Sequence, residues 1–268
     1  MISRQPNFDA VFPNYANNIN PDLQNEEIKS FELGYGYVTN NFKVNVNAYS
    51  TVWGNRFVTR SLSNSQGVDG FAQFKDIDVV HNGIEVESSW NPFDNLRLKG
   101  MLSIGDWRYT KDFAAELFDD NQQSIGTGTL YLKDAKVGDA AQFVSYLEAD
   151  YRLGSKLNVD LGYRFVDNLY ADYSITDSEF TQPDNAGALK LPSYGLVDFG
   201  TTVRFNLFGN DASFRVNINN LLDTTYIAES NSNIHADASS TTWNGVDTRN
   251  YVWFGFGRTW NASLKYRF

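Results

Sequence analysis

Apolar and polar residues alternate along several stretches of this chain. The clearest stretch is 157–165, LNVDLGYRF, in which every second residue is apolar, and the pattern recurs at 42–48, 96–104, 197–205 and 214–219. In a helix these apolar residues would be scattered around the axis, whereas in a strand they share one face. The pattern therefore predicts β-strands that are apolar on one face only.

We predict nine such strands of about 12–15 residues, which is longer than the about 5–6 residues of a usual strand. Their predicted bounds are 27–39, 42–54, 79–90, 96–109, 139–152, 157–170, 193–206, 211–226 and 250–268. A tilted strand that crosses the hydrocarbon of a bilayer needs about 9–11 residues and then extends beyond it. The lengths therefore favour a transmembrane sheet.

The predicted connections alternate between short and long. Tight turns rich in Asn, Gly and Asp occur near 39–41, 91–95, 153–156 and 206–211, and long connections fill 55–78, 110–138, 171–192 and 227–249. This alternation places all short turns at one end of the sheet and all long loops at the other. Bacterial outer-membrane barrels have this arrangement, with short periplasmic turns and long extracellular loops.

Composition narrows the class of protein. Aromatic residues make up 15% of the 268 residues, the mean hydropathy is −0.41, and no apolar run is long enough for a membrane helix. There is no cysteine, and the net charge of −10 argues against a nucleic-acid partner. The first nine residues lack the basic start and apolar run of an export signal, so we expect a piece of a longer protein.

Four segments resemble the barrel of TonB-dependent outer-membrane receptors. Asn20-Pro21-Asp22-Leu23, with Glu26 and then SFELGY at 30–35, is similar to the family's entry into a mid-barrel strand. The other three are LPSYGLVDFG at 191–200, VNINNLLDTTY at 216–226 and the closing GRTWNASLKYRF at 257–268. They occur in the family's order. The signature positions carried over are Asn219, Leu221, Leu222, Asp223 and Tyr226.

The resemblance implies an all-β, antiparallel transmembrane β-barrel, of which residues 1–268 are about nine C-terminal strands. The family's barrel has 22 strands and encloses a plug domain, and the plug and the first strands are expected to lie outside this chain. The implied function is TonB-energised uptake of a scarce nutrient across the outer membrane of a Gram-negative bacterium, with an iron–siderophore complex as the commonest substrate class. The implied partners are outer-membrane lipid, the plug, TonB, the barrel-assembly machinery and the small-molecule ligand. No cofactor is implied.

Two groups of residues are candidate sites. Trp260, Leu264, Tyr266 and Phe268 share one face of the last strand and resemble the C-terminal signal read by the barrel-assembly machinery. Recognition usually lies in loops on a rigid scaffold. Aromatic residues at the loop ends are therefore candidate ligand contacts: Trp107, Tyr109, Tyr170, Tyr173 and Trp243. They also fit the alternative of an outer interfacial belt, with Trp53 and Trp107 among its members.

Three other function classes are weighed. A passive outer-membrane pore or adhesin shares the alternation and the terminal Phe268, but not the NNLLD segment. A soluble β-sandwich predicts that Phe199, Phe214 and Leu264 are buried in a core. An enzyme is not expected, because Glu85 and Glu87 lie side by side on one strand face, and neither His81 nor His235 has ligand-spaced companions.

Overall fold

A computed structural model describes residues 1–6, 8–12, 19, 23–63, 69–119, 121, 123–173 and 178–268. The Asn20-Pro21-Asp22 part of the first motif lies outside these residues. The elements are β1 Ile2–Arg4, α1 Phe8–Val11, β2 Glu26–Val38, β3 Phe42–Ser63, β4 Asp69–Phe93, β5 Leu96–Tyr109, β6 Phe113–Asp119, β7 Ser124–Leu130, β8 Phe143–Leu153, β9 Leu157–Asp167, β10 Tyr194–Leu207, β11 Asn210–Asn219, β12 Ile227–Ser230, β13 Thr242–Trp243, β14 Val246–Asp247, β15 Val252–Phe254 and β16 Thr259–Tyr266. A 3-10 turn at Ser178–Thr181 precedes β10.

One antiparallel sheet contains all nine predicted strands. Its order is β1-β2-β3-β4-β5-β8-β9-β10-β11-β16, so each predicted strand pairs with the next one along the chain. This is the meander that the alternation and the turn spacing predict. The predicted all-β architecture is therefore confirmed.

The four predicted tight turns join β2 to β3, β4 to β5, β8 to β9, and β10 to β11. In the last of them Phe208 and Gly209 have φ of 53° and 86°, a pair of positive values typical of a two-residue hairpin loop. Because all four turns lie at one end, the remaining connections all lie at the other end. The predicted separation of short turns from long connections is confirmed.

The pairing register places most of the apolar residues of the nine strands on one face. Leu33 pairs with Ala48, Ala48 with Ile84, and Ile84 with Ile104. Many large side chains on this face are exposed, including Phe31, Leu33, Tyr35, Ile84, Trp90, Leu147, Leu161, Tyr163, Phe214, Trp260 and Leu264. A soluble sandwich would bury Phe214 and Leu264, whereas strands that contact lipid leave such residues uncovered.

The long connections contain more regular structure than the sequence predicts. The predicted loop 55–78 is largely an extension of β3 and β4, although residues 64–68 lie outside the described part. The predicted loop 110–138 contains β6 and β7, and β6 pairs with β4. Alternation alone does not predict these extensions, because their apolar residues pack on a local core instead of facing lipid.

Two small hydrophobic cores lie among these connections. The first includes Phe74, Ile77, Phe113, Leu132 and Phe180, and the second includes Leu169, Leu189, Leu191, Ile227 and Val246. No helix in the described part of the chain is long and apolar enough to cross a membrane. The buried hydrophobic residues therefore gather at the long-connection end of the sheet rather than between two layers.

The predicted eighth and ninth strands are shorter than expected. The eighth ends at Asn219 rather than 226, and the ninth is divided into β15, which pairs with β12, and β16, which pairs with β11. Asn220 and Asp223 have φ of 51° and 55°, so the chain turns there. The predicted family-signature strand is therefore wrong beyond Asn219.

Candidate functional site

The polar face of the sheet carries the charged residues that the alternation placed opposite the apolar face. Arg97 pairs with Asp150, Asp150 with Asp160, and Lys99 with Glu148. Charged residues from six strands lie on this face: Lys43, Arg97, Lys99, Glu148, Asp150, Arg152, Asp160, Arg164, Asp198, Arg204 and Arg215. In a barrel this is the wall of the lumen.

Two ion pairs connect strands on this wall. Lys99 and Glu148 lie on the neighbouring strands β5 and β8, whereas Arg215 on β11 reaches across β10 to Asp160 on β9. Arg215 donates two hydrogen bonds to the carboxylate of Asp160, at 2.8 and 2.9 Å. Lys99 lies 2.7 Å from Glu148, which also accepts a hydrogen bond of 2.8 Å from the Tyr146 hydroxyl. The bidentate geometry fixes the orientation of the guanidinium. These contacts give the middle of the wall a fixed arrangement of paired charges.

An aromatic patch, defined as Tyr49, His81 and Trp107, lies on the same face near the long connections. The indole N–H of Trp107 donates to the Tyr49 hydroxyl at 3.0 Å. The ring centroids of His81 and Trp107 are 5.5 Å apart. All three side chains are half-buried. The patch therefore presents aromatic surface and polar edge atoms to the lumen at once.

Two glycines allow the patch to lie close to the backbone. Gly83 pairs with both Tyr49 and Gly105 across neighbouring strands. A Cβ on Gly83 would lie 2.3 Å from the Tyr49 hydroxyl oxygen, and one on Gly105 would lie 2.8 Å from the Trp107 indole nitrogen. Any larger residue would push these rings off the wall, so the glycines shape a shallow aromatic depression.

The five predicted ligand contacts do not form one site. Trp107 belongs to the aromatic patch, but Tyr109 and Tyr173 are buried in the first loop core, where their rings meet edge to face at 5.5 Å. The prediction that these two tyrosines are exposed is wrong, because the connections fold around their own core. Trp53 and Trp107 lie on the polar, lumenal face of the sheet, whereas a lipid-facing belt would lie on the apolar face. Their assignment to such a belt is therefore also wrong.

Trp243 and Tyr170 are half-buried in the connections above β9 and β11. Trp243 packs on the second loop core. Its ring is perpendicular to the ring of Phe254, and the two ring centroids are 5.2 Å apart. Tyr170 forms a β-bridge with Lys190. Their positions leave both as candidates for contact with a ligand that enters from the loop side, and that role stays a prediction.

Buried polar side chains connect these two loops. The Asn233 side chain accepts a hydrogen bond from the backbone of Leu189 at 2.7 Å and donates one to the carbonyl of Asp172 at 2.8 Å. Asp247 is 1% exposed, and hydrogen bonds from the Arg249 guanidinium hold the pKa of its carboxyl well below the usual range. The loop therefore keeps a charged, ordered anchor at neutral pH.

The signature segment forms a turn with Asn220 at its centre. The Asn220 side chain accepts a hydrogen bond from the Thr224 backbone N–H and donates to the carbonyls of Thr224 and Phe256. Its backbone N–H donates to Asp198 at 2.9 Å. Asp223 in turn accepts from the backbone of Arg258 at 2.8 Å. The segment therefore joins β10, β11 and the start of the last strand.

The remaining signature residues have separate positions. Asn219 donates from its side chain to Thr259 at 3.2 Å, and Leu221 donates its backbone N–H to the carbonyl of Val197 at 2.7 Å. Leu222 is exposed. Tyr226 stacks on Tyr194, with ring centroids 4.2 Å apart. These residues brace the loop end of the sheet, and none of them belongs to the aromatic patch.

The last strand has the predicted one-sided surface. Trp260 pairs with Ile218, Leu264 with Phe214, and Tyr266 with Ala212, so their side chains continue the apolar face. β16 ends at Tyr266, and Phe268 is fully exposed beyond it. Trp260, Leu264 and Tyr266 therefore lie on the apolar face of the last strand, and Phe268 follows two residues after its end.

Sequence reasoning did not identify Tyr49, His81 or Asn220 as site residues. Tyr49 and His81 are brought together by the pairing of their strands, which the sequence does not show directly. The glycines at 83 and 105, which lie on the polar face, are the sequence signal that large rings could pack against the backbone there. Asn220 was detectable as an asparagine beside a turn, because Asn tolerates positive φ better than most residues.

Comparison with known proteins gives a match to one family. The sequence profile of the family described as "TonB dependent receptor-like, beta-barrel" matches residues 2–221. The ferrioxamine B receptor of Salmonella typhimurium is 28% identical over 156 residues, which are 58% of this chain and 19% of the relative. The chain therefore spans about a fifth of the length of the curated relatives that it matches.

Solved structures share the fold at low identity. The copper transporter OprC superposes with a TM-score of 0.63 at 15% identity, over 99% of this chain and 35% of that chain. BauA, the ferric preacinetobactin receptor of Acinetobacter baumannii, superposes with a TM-score of 0.60 at 17% identity, over 98% of this chain and 32% of that chain. At these identities the similarity shows the fold.

Proposed function

This chain belongs to the TonB-dependent receptor-like β-barrel family, and we propose that residues 1–268 form the C-terminal part of the barrel of an outer-membrane uptake receptor. The family consists of transporters and receptors of Gram-negative outer membranes. In our proposal the whole protein imports a scarce nutrient with energy relayed by TonB, and the nutrient is an iron–siderophore complex. The observation that carries this proposal is the family match over a sheet with one apolar and one charged face.

Two further observations support the substrate class. The ferrioxamine B receptor is among the relatives. The aromatic patch also lies on the lumenal wall just below the long connections, where a ligand entering from outside would first meet the barrel. Aromatic rings with N–H and O–H edges suit a bulky ligand that has both apolar and polar surface.

The partners in this proposal contact different parts of the protein. Outer-membrane lipid covers the apolar face, and a plug domain from the N-terminal part of the protein fills the lumen. TonB binds that N-terminal part, outside residues 1–268. The barrel-assembly machinery reads the last strand. We propose no catalytic role, and among the described residues no three His, Asp or Glu side chains converge to hold a metal ion.

Replacing Trp107 with alanine tests the proposed ligand surface. We expect Trp107→Ala in the full-length receptor to weaken binding of the ferric siderophore about 10-fold or more, because a tryptophan at the centre of a contact surface commonly contributes over 1 kcal/mol. Binding is measured on cells at equal receptor levels. Trp90→Ala is the matched control, because Trp90 lies exposed on the opposite, apolar face, and we expect its loss to leave the affinity unchanged. Equal affinity of both variants would remove the patch from the binding site.

The alternative function is that of a passive pore or adhesin. Measurements of ligand uptake distinguish it from the proposed receptor. A TonB-dependent receptor accumulates its ligand only when TonB and the inner-membrane energy gradient are intact, whereas a passive barrel equilibrates it without either. Uptake that persists without TonB would therefore overturn the proposed mechanism while leaving the fold unchanged.

Removing the last aromatic ring tests the proposed assembly signal. We expect Phe268→Ala in the full-length receptor to lower the amount of folded barrel in the outer membrane severalfold, with little change in ligand affinity per folded receptor, because Phe268 lies far from the aromatic patch. Heat-modifiable mobility on gels measures the folded fraction. Phe208→Ala is the control, since Phe208 is a similarly exposed aromatic in a tight turn. A normal folded amount for Phe268→Ala would contradict the assignment.

A further inference from the structure

The side chain of Gln142 is buried and bonds to the backbone of Trp107, a member of the aromatic patch. Its Oε1 accepts a hydrogen bond from the Trp107 N–H at 3.0 Å, and its Nε2 donates one to the Trp107 carbonyl at 2.9 Å. Gln142 is 2% exposed, so both bonds are shielded from water. One side-chain amide therefore pairs with both backbone polar groups of a patch residue, as a neighbouring strand would.

This amide bridges a gap in the pairing of β5. The ladder with β8 ends at Ile104 and Phe143, and the chain just before β8 turns toward the connection between β9 and β10, to which the N–H of Asp139 donates. Pairing with β5 resumes at Val137, whose N–H donates to the Trp107 carbonyl at 3.0 Å. Because Val137 supplies a donor here, the backbone N–H of Trp107 takes its acceptor from the side-chain amide.

The amide fixes the backbone from which the Trp107 indole projects. On its other side β5 is paired with β4 through this position, with His81 opposite Trp107. The indole also lies close to the backbone of its own strand, since a Cβ on Gly105 would be 2.8 Å from the indole nitrogen. With the strand held on both sides and the ring lying along it, the indole N–H points at the Tyr49 hydroxyl, to which it donates at 3.0 Å.

The indole contact determines what the Tyr49 hydroxyl can offer to a ligand. A phenol oxygen can accept hydrogen bonds and has one proton to donate. Because the oxygen accepts from Trp107, its own proton points elsewhere, and no residue in the described part of the chain accepts it. Tyr49 is half-buried on the lumenal face. The patch therefore presents one oriented O–H donor to the lumen, which suits a ligand with an oxygen acceptor.

We propose that Gln142 positions the aromatic patch for the ligand: its amide holds Trp107, Trp107 orients the Tyr49 hydroxyl, and the Tyr49 proton is left for an oxygen atom of the ligand. The inference rests on the proposed function and deepens it, because it names the chemistry of the ligand at the patch. Gln142 is buried and does not touch the ligand, so it is a positioning residue. An iron–hydroxamate complex fits the donor, since its iron-binding oxygens carry negative charge and accept hydrogen bonds strongly.

Fluorine NMR tests the positioning in the absence of ligand, on the full-length receptor in detergent micelles after growth with fluorinated tryptophan. The signals of Trp107 and Trp90 are assigned by their loss in the variants with phenylalanine at each position. We expect Gln142→Met, which keeps the length of the side chain but removes both hydrogen bonds, to shift or broaden the Trp107 signal and to leave the Trp90 signal unchanged. We expect the same of Gln142→Asn, which keeps an amide but is too short to reach both backbone groups, so the test does not depend on one variant folding.

Binding of an iron(III) trihydroxamate complex to cells, compared per folded receptor, measures the consequence for the ligand. We expect Gln142→Met to weaken binding about fivefold, and Tyr49→Phe, which removes only the hydroxyl, to weaken it by a similar factor. In the Trp107→Ala background, Gln142→Met should cause no further loss, because no indole is left to orient. Asn158→Leu is the matched control: it removes another buried amide, which bonds to Asp150 at the tight-turn end, and should change neither the Trp107 signal nor binding.

Three results would overturn the proposal. An unchanged Trp107 signal in both Gln142 variants would show that the amide does not position the ring. An equal loss of binding from Gln142→Met with and without the indole would mean that Gln142 acts by another route. Full binding by Tyr49→Phe would remove the hydroxyl from the contact with the ligand. Failure of the proposed function is seen separately: a receptor that takes up no iron chelate with the help of TonB has no such ligand, whereas the Trp107 signal still reports whether Gln142 positions the ring.

Discussion

Leu147→Arg is expected to destabilise the folded barrel by about 2–4 kcal/mol, the cost of an arginine on the lipid face near the middle of the bilayer. Leu147 lies in the middle of β8, pairs with Gly100 and Tyr163 on the apolar face, and is 65% exposed. In the proposed barrel this exposed position on the apolar face contacts lipid. Equilibrium unfolding of the full-length receptor in lipid vesicles, by denaturant titration, measures the change.

Met101→Arg is the matched control for this experiment. Met101 is an apolar residue beside Gly100 in β5, but it takes the lumenal phase and pairs with Glu87 and Tyr146. We expect a change of about 0–1 kcal/mol, because the new guanidinium faces water and a carboxylate. Equal destabilisation by both substitutions would mean that the two faces of the sheet are not lipid and lumen.

Asn220→Ala is expected to lower the local stability of the signature turn by about 2.5–5.5 kcal/mol. The substitution removes the side-chain hydrogen bonds to Thr224 and Phe256 from a residue that is 4% exposed, and each such bond contributes about 0.5–1.5 kcal/mol. It also places alanine at a φ of 51°, which costs about 1 kcal/mol. Hydrogen exchange at 220–226 in the folded receptor measures the opening free energy.

Leu222→Ala serves as the control in the same turn. Leu222 is 69% exposed, so its truncation removes little buried surface and should leave exchange at the neighbouring amides nearly unchanged. If the amides at 220–226 of the Asn220→Ala variant exchanged as slowly as those of the unaltered receptor, the flanking strands rather than Asn220 would determine the structure of the signature segment.

The sequence by itself determined the sheet. Period-2 alternation at 157–165 and its counterparts is a local property, because the side chains of a strand alternate whatever the strand pairs with. The short turns, rich in Asn and Gly, force consecutive strands to be antiparallel neighbours. Together these signals predicted the nine strands, their order, the apolar face and the separation of short turns from long connections, although the eighth and ninth strands are shorter than predicted. The four motifs added the family.

Only the tertiary structure decided how the long connections fold. Tyr109 and Tyr173 are aromatic residues at loop ends, as expected of ligand contacts. They are nevertheless buried, because β6, β7 and the 3-10 turn form a hydrophobic core around them. The local alternation of apolar and polar residues does not predict this core. Tyr49, His81 and Trp107 are 58 residues apart at the extremes and meet through the pairing of β3, β4 and β5. Contacts of this kind depend on register and on distant packing, whereas alternation reports only which face of its own strand a residue occupies.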